Sequence, residues 1–144
     1  MNLNDGLERF MLAQETIYQQ ALNEIRNGKK ETHWMWFIFP QIRGLGITDF
    51  NIYYGIKDLN EAEQYFNHPV LGKRLIQISE AILHIEFKPI DAILPKPDIK
   101  KLKSSMTLFC QIPDSSPVFQ KVLDRYFSGD FDENTIQILK ELNS

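Results

Sequence analysis

The chain holds a single cysteine, Cys110, and three scattered histidines, His33, His68 and His84, among its 144 residues. An internal disulfide is excluded, and so are the usual zinc spacings, which need cysteines or histidines in close pairs. No HExxH, GxxxxGK[ST], GxGxxG or GxSxG stretch occurs. Standard zinc-protease, P-loop, dinucleotide-fold and serine-hydrolase readings therefore lose their support. The longest apolar run, Trp34 to Phe39, falls far short of the roughly 20 residues that span a bilayer. Positive charge is not in excess either: the formal net charge is -3, which argues against a protein that coats nucleic acid or an anionic membrane. The opening MNLNDGLERF has neither the basic region nor the apolar region of a signal peptide, so a cytoplasmic location is expected. No metal or cofactor is expected.

What the chain does have is apolar material at helical spacing. Hydrophobic residues make up 43% of it, enough for a proper core, and its length suits one domain over 1–144. Leu7, Phe10, Met11, Ile17, Tyr18, Ala21, Leu22 and Ile25 predict one first helix, with Asn4 or Asp5 as its cap and Gly28 as its stop. HWMWFIF suits a short buried helix or a strand, and Pro40, Gly44 and Gly46 turn the chain after it. Thr48 caps one or two helical turns closed by Gly55, and Asp58 with Glu61 has the spacing of a capping box. Pro69 suits the first turn of a helix running to about Ile85. Pro89, Pro95 and Pro97 mark a connecting segment with at most one helical turn. Asp98, Ser115 or Ser116 with Pro117, and Asp132 then cap the last three helices. The reading is all-α: a single compact multihelical domain of seven or eight helices.

Two stretches carry the chemistry. In THWMWFIFPQIRGLG, most of the aromatic residues are ordinary core material. His33, Trp36, Gln41 and Arg43 are harder to assign to packing, because their polar groups need partners once aromatic neighbours exclude water. An aromatic wall, a planar amide and a guanidinium suit a flat ring bearing an anionic group. In KPDIKKLKSSMTLFCQ, the plain reading of the lysines is a solvated helical face. Helical spacing nonetheless sets Lys100, Ser104 and Thr107 on one side and Lys101, Ser105 and Leu108 on another, and either side offers hydroxyls and an ammonium to a phosphate or carboxylate. Asp130 and Asp132 in SGDFDENT lack the glycine and final glutamate of a calcium loop, and a helix cap explains them better.

These same residues carry a resemblance. HWMWFIFPQIRGLG, YYGI, HPVLGKRL, KLKSSMTLF and VLDRYFSGDFDENT resemble the small bacterial family known as domain of unknown function 1810, from Leu7 to about Leu139. The family implies a single multihelical domain and no defined activity. Some of its members carry a calpastatin label, but such inhibitors are disordered repeats and this chain reads as globular. A more distant likeness, to helical domains that handle NAD and ADP-ribose, implies a ribose-phosphate ligand and transfers no catalytic residue.

The leading expectation is a small anionic, nucleotide-derived ligand, NAD- or ADP-ribose-like, bound and in one version hydrolysed. Trp36 would stack on its ring, Arg43 and Lys103 would hold the anion, and Gln41 and Ser104 would orient it, with Ser105 a further ligand-binding candidate. His33 would be the general acid or base, partnered by Glu15 or Asp124. A non-enzymatic protein-interaction module is the alternative, and RNA or DNA binding the weakest of the three.

Overall fold

Ten helices follow one another through residues 6–143, the part of the chain that the computed structural model describes. They are α1 (Glu8–Gln14), α2 (Tyr18–Arg26), α3 (Met35–Ile38), α4 (Asp49–Tyr53), α5 (Leu59–Asn67), α6 (Leu71–Leu83), α7 (Ile90–Ile93), α8 (Lys96–Cys110), α9 (Pro117–Tyr126) and α10 (Glu133–Leu142). Seven of them have seven residues or more, as expected for this all-α chain, and α3, α4 and α7 are single turns. Among the described residues the one β-type pairing is an isolated parallel bridge between Ile42 and Ile56.

Capping chemistry sets most helix starts. Thr48, Asp58, Ser116 and Asp132 accept hydrogen bonds from Asn51, Glu61, Val118 and Thr135 backbone N–H groups, which would otherwise be unpaired. His68 does the same for α6, its Nδ1 accepting from Val70 and Leu71 N–H. The proposed caps Asn4 and Asp5 lie outside the described residues.

Three local expectations are corrected. The first helix is two: the chain turns at residues 15–17, where Ile17 N–H bonds Gln14 O, and adjacent β-branched Thr16 and Ile17 weaken the helical state there. Asp98 does not cap α8, which starts two residues earlier because Pro97 lacks an N–H and fits a first turn. Glu61 completes only half a capping box; its carboxylate accepts from Lys57 N–H and pairs with Arg9.

The 15-residue α8 is the hub, packed against α3, α5, α7, α9 and α10. Leu102, Met106, Leu108 and Phe109 on it are essentially inaccessible. Phe10, Tyr65, Phe109 and Phe119 form a run of rings with centroids 5.1–5.7 Å apart, each contact adding roughly 0.5–1.5 kcal/mol beyond burial. Of the hydroxyls in KSSMTLF, that of Thr107 joins two elements. Thr107 accepts from Asp132 N–H at 2.9 Å and docks the start of α10, Ser104 donates back to Lys100 O at 3.0 Å, and Ser105 is a small residue at a fully buried position.

Candidate functional site

A cleft of about 220 Å³ opens between the α3–α4 segment, the first half of α8 and the start of α10. One wall carries Gln41, Leu45, Gly46 and Asn51; the other carries Pro97, Lys100, Lys101 and Ser104; Asp132 and Asn134 close the end.

The first wall is held by two arginines. Buried Arg9 donates from Nε to Tyr53 O at 2.7 Å, from Nη2 to Gly55 O at 2.9 Å, and from Nη1 to Gly6 O, while pairing with Glu61 at 2.9 Å. Arg43 donates to Ile52 O and Gly55 O, both at 3.2 Å. Positive charge thus sits at the carbonyl end of α4, where the helix dipole favours it. Backbone bonds Arg43 N–H to Ile56 O and Ile56 N–H to Gln41 O fix the segment in register. The Asn51 side chain packs closely over Gly46: a Cβ at position 46 would stand 2.2 Å from Asn51 Nδ2, so a larger residue there would displace that carboxamide. That close approach sets the Asn51 carboxamide at the cleft.

Charged side chains follow one another along the second wall and behind it. Buried Asp98 bridges Lys30 at 2.9 Å and Lys101 at 3.4 Å, and the Lys101 ammonium lies 4.6 Å from the Trp36 ring centroid. Trp36 also meets Phe50, with centroids 5.0 Å apart. Behind these rings a chamber of only about 10 Å³, lined by Trp36, Phe50 and Tyr54, joins the cleft through Gln41, Leu45, Gly46 and Asn51. It has room for about one water-sized atom. The buried Nε1–H of Trp36 has no hydrogen-bond partner, which is uncommon for an indole in this setting. Across the cleft and the charges behind it, three lysines face two aspartates, leaving a positive excess.

The sequence-predicted residues divide accordingly. Trp36, Gln41 and Ser104 come together at the cleft and its chamber. Arg43 is taken up by the carbonyls of Ile52 and Gly55, Lys103 is half-buried on α8 outside the cleft lining, and Ser105 is fully buried with an unpartnered Oγ. His33 is exposed in the turn before α3 and does not line the cleft. Glu15 and Asp124 are exposed and outside it as well. Trp36 has its ring flanked by Lys101 and Phe50 rather than standing open for stacking. The lining also includes Lys100 and Lys101, which the helical spacing offers as ammonium groups, and Asn51, Asp132 and Asn134, which the sequence does not mark as binders. The four-residue spacing of Lys100 and Ser104 was a usable sign of the first; nothing local marks the two asparagines.

The turn that carries His33 has its own organiser. Glu24 on α2 accepts from Glu31 N–H, Thr32 N–H, Thr32 Oγ1–H and Trp34 Nε1–H, at 2.6–3.0 Å. Burial alone would raise this carboxyl, but the hydrogen bonds prevail and hold it at about 2. Cys110 goes the other way: burial, aided by the Asp124 charge, pushes its thiol up to about 11, far from a reactive thiolate. Among the described residues no three His, Cys, Asp or Glu side chains converge to hold a metal, and no helix is long and apolar enough to cross a membrane.

On the far side of Leu45 and Asn134 a groove of about 250 Å³ continues over Gly44, Gln137, Ile138 and Glu141. A larger, more open depression of about 490 Å³ lies elsewhere, by Arg26, Gln77, Glu80 and His84, without an aromatic wall.

Comparison with known proteins adds a family and a fold partner. A family described as "Protein of unknown function (DUF1810)" matches residues 4–139. The crystal structure of the conserved hypothetical protein Rv1873 from Mycobacterium tuberculosis, solved at 1.38 Å, is 40% identical, with a TM-score of 0.91 over 93% of this chain and 96% of that one. No curated protein matches the chain.

Proposed function

We propose, for a chain that belongs to the DUF1810 family of proteins of unknown function, that the cleft on α8 binds a small phosphate-bearing ligand of the nucleotide-derived, ADP-ribose-like class. The observation that carries this reading is the meeting of Lys100, Lys101 and Ser104 with the carboxamides of Gln41, Asn51 and Asn134 around one concave space. Ammonium groups supply charge for a phosphate, and carboxamides both donate to its oxygens and accept from sugar hydroxyls. The positive excess of the walls selects an anion, whereas the negative net charge of the whole chain opposes a polyanion such as RNA.

In this reading Trp36 contributes an edge rather than a face. Its unpartnered Nε1–H suits a single ligand oxygen entering the small chamber, while Lys101 occupies the ring surface. Binding is the function proposed. Hydrolysis would need an acid or base in reach, and the carboxyl group lining the cleft is Asp132, whose Oδ2 accepts from Thr135 N–H and Oγ1–H, not His33.

The test is a thermal-shift series with NAD, ADP-ribose, nucleotides, sugar phosphates and inorganic phosphate at low salt. A ligand at about 100 times its dissociation constant stabilises the fold by roughly 2.7 kcal/mol, a shift of several degrees at this size. The shift should vanish in a Lys100→Met/Lys101→Met double variant that retains its helical signal. No shift with any phosphate compound, or an undiminished one in the double variant, overturns the proposal.

One observation favours the alternative of a protein-interaction module. Ile47, 92% exposed, follows Gly46 of the cleft lining, and Phe50 and Ile52 nearby in the chain are 49% and 37% exposed, apolar surface of the kind that a partner covers. The same titration separates the two, since a module of that kind has no response to phosphate compounds that depends on Lys100 and Lys101.

A further inference from the structure

The cleft does not end at Asn134. Leu45 and Asn134 line both it and the groove beyond, so the two spaces meet along a shared edge. Neither alone reaches the roughly 300–1,000 Å³ usual for a small-molecule site, and together they do. Their chemistry is opposite. The cleft presents ammonium groups; the groove presents the apolar side chains of Leu45 and Ile138 and, at its far side, Gln137 and Glu141. Gln137 Nε2 donates to Glu141 Oε1 at 3.2 Å across one helical turn, beside the groove that both residues line. A carboxylate accepts from several hydroxyl donors at once and repels a second anion. Apolar side chains suit the CH face of a sugar ring.

We infer that the ligand is a sugar phosphate held across both spaces, its phosphate on Lys100 and Lys101 and its hydroxylated ring on Leu45 and Ile138 with hydroxyls donated to Glu141. This rests on the phosphate-binding reading above and names the part of the ligand that the cleft itself does not read. A bare phosphate uses only half of the surface.

The experiment compares inorganic phosphate with ribose 5-phosphate by calorimetric titration, in the wild-type protein and in two groove-filling variants, Ile138→Trp and Gln137→Trp. Gln137 is exposed, so its replacement leaves the core intact even if Ile138→Trp, at a half-buried position, perturbs folding. Ribose 5-phosphate should bind about tenfold or more tightly than phosphate, the worth of a hydrogen bond to a charged group. That advantage should disappear in the filled variants while phosphate affinity stays the same. If both probes bind equally in wild type, or the sugar advantage survives in Gln137→Trp, the groove is not the sugar site and the cleft reading stands. If neither probe binds at all, the cleft reading itself falls and this inference falls with it.

Discussion

Lys101 holds its ammonium 4.6 Å from the centroid of the Trp36 ring, joining the aromatic segment to the lysine helix at the mouth of the cleft. The same ammonium reaches Asp98 at only 3.4 Å, a long contact for an ion pair, while Asp98 keeps a closer partner in Lys30. Lys101 is therefore the more weakly paired of the two lysines on Asp98, and its contact with Trp36 is optically detectable. Lys101→Met should change the emission of Trp36, seen as the wild-type spectrum minus that of Trp36→Phe, and lower stability by no more than about 1 kcal/mol, the scale of a partly exposed cation–π contact. Unchanged Trp36 emission would show that the ammonium does not rest on the ring in solution.

Glu24 predicts how stability responds to acid. Its carboxyl is held at about 2 in the folded chain against 4.5 for the ordinary group, so the folded state favours the ionised form. A depressed folded-state value gives stability that is fully present above about 4.5 and is lost as pH falls through the window down to about 2. The amount is on the order of 3 kcal/mol. Glu24→Gln should lose stability of that order at pH 7 and show a shallower decline of Tm between pH 4.5 and 2. A variant whose Tm falls with acid as steeply as the wild type would remove Glu24 as the cause.

The contrast between Glu24 and Thr48 explains what the sequence made legible. Thr48, Asp58, Ser116 and Asp132 act on N–H groups two or three residues ahead, so their caps can be read from local spacing. Glu24, Arg9 and Asp98 act on groups brought near by folding: Thr32, Gly55 and Lys30. No periodicity carries that information. The same divide runs through the site. Trp36, Gln41 and Ser104 stood out because polar groups among aromatics or on a lysine face need an account, and they do converge. Arg43 and Ser105 stand out for the same reason, yet the Ile52 and Gly55 carbonyls and the helix-packed interior take them. Asn51 and Asn134 were unremarkable in the sequence and gain their place only from the Gly46 turn and the docking of α10 on Thr107.

Arg9 and Glu61 form a buried pair whose removal should be felt at the cleft wall. Their side chains are 1% and 8% exposed, and Arg9 also holds the Tyr53 and Gly55 carbonyls. Arg9→Met leaves a buried carboxylate without its counter-charge and should cost about 3–5 kcal/mol. The Arg9→Met/Glu61→Leu double variant should recover part of that loss, as denaturant midpoints will record. A single variant within 1 kcal/mol of wild type would mean that water replaces the pair.

Gly72 sets how closely α5 and α6 approach. A Cβ at this position would stand 1.9 Å from Phe66 O, a backbone atom that cannot swing away. Gly72→Ala should therefore destabilise by about 1–3 kcal/mol despite the better helix propensity of alanine, because overpacking outweighs a gain of about 1 kcal/mol. A raised Tm for Gly72→Ala would contradict the packing of these two helices.

Ser105 and Ser104 separate a structural role on α8 from the proposed ligand contact. The Ser105 side chain is fully buried and its Oγ has no partner, so the hydroxyl has been desolvated without compensation. Removing it relieves that penalty at the loss of one oxygen's packing, and Ser105→Ala should be neutral or stabilising by up to about 1 kcal/mol. Ser104, one residue earlier, lines the cleft while donating to Lys100 O, and Ser104→Ala should instead leave stability nearly unchanged and weaken phosphate binding. The paired measurement is Tm together with phosphate affinity for both variants. Loss of affinity in Ser105→Ala, with Ser104→Ala unaffected, would place the ligand on the other side of α8 from the cleft, against the geometry of both walls.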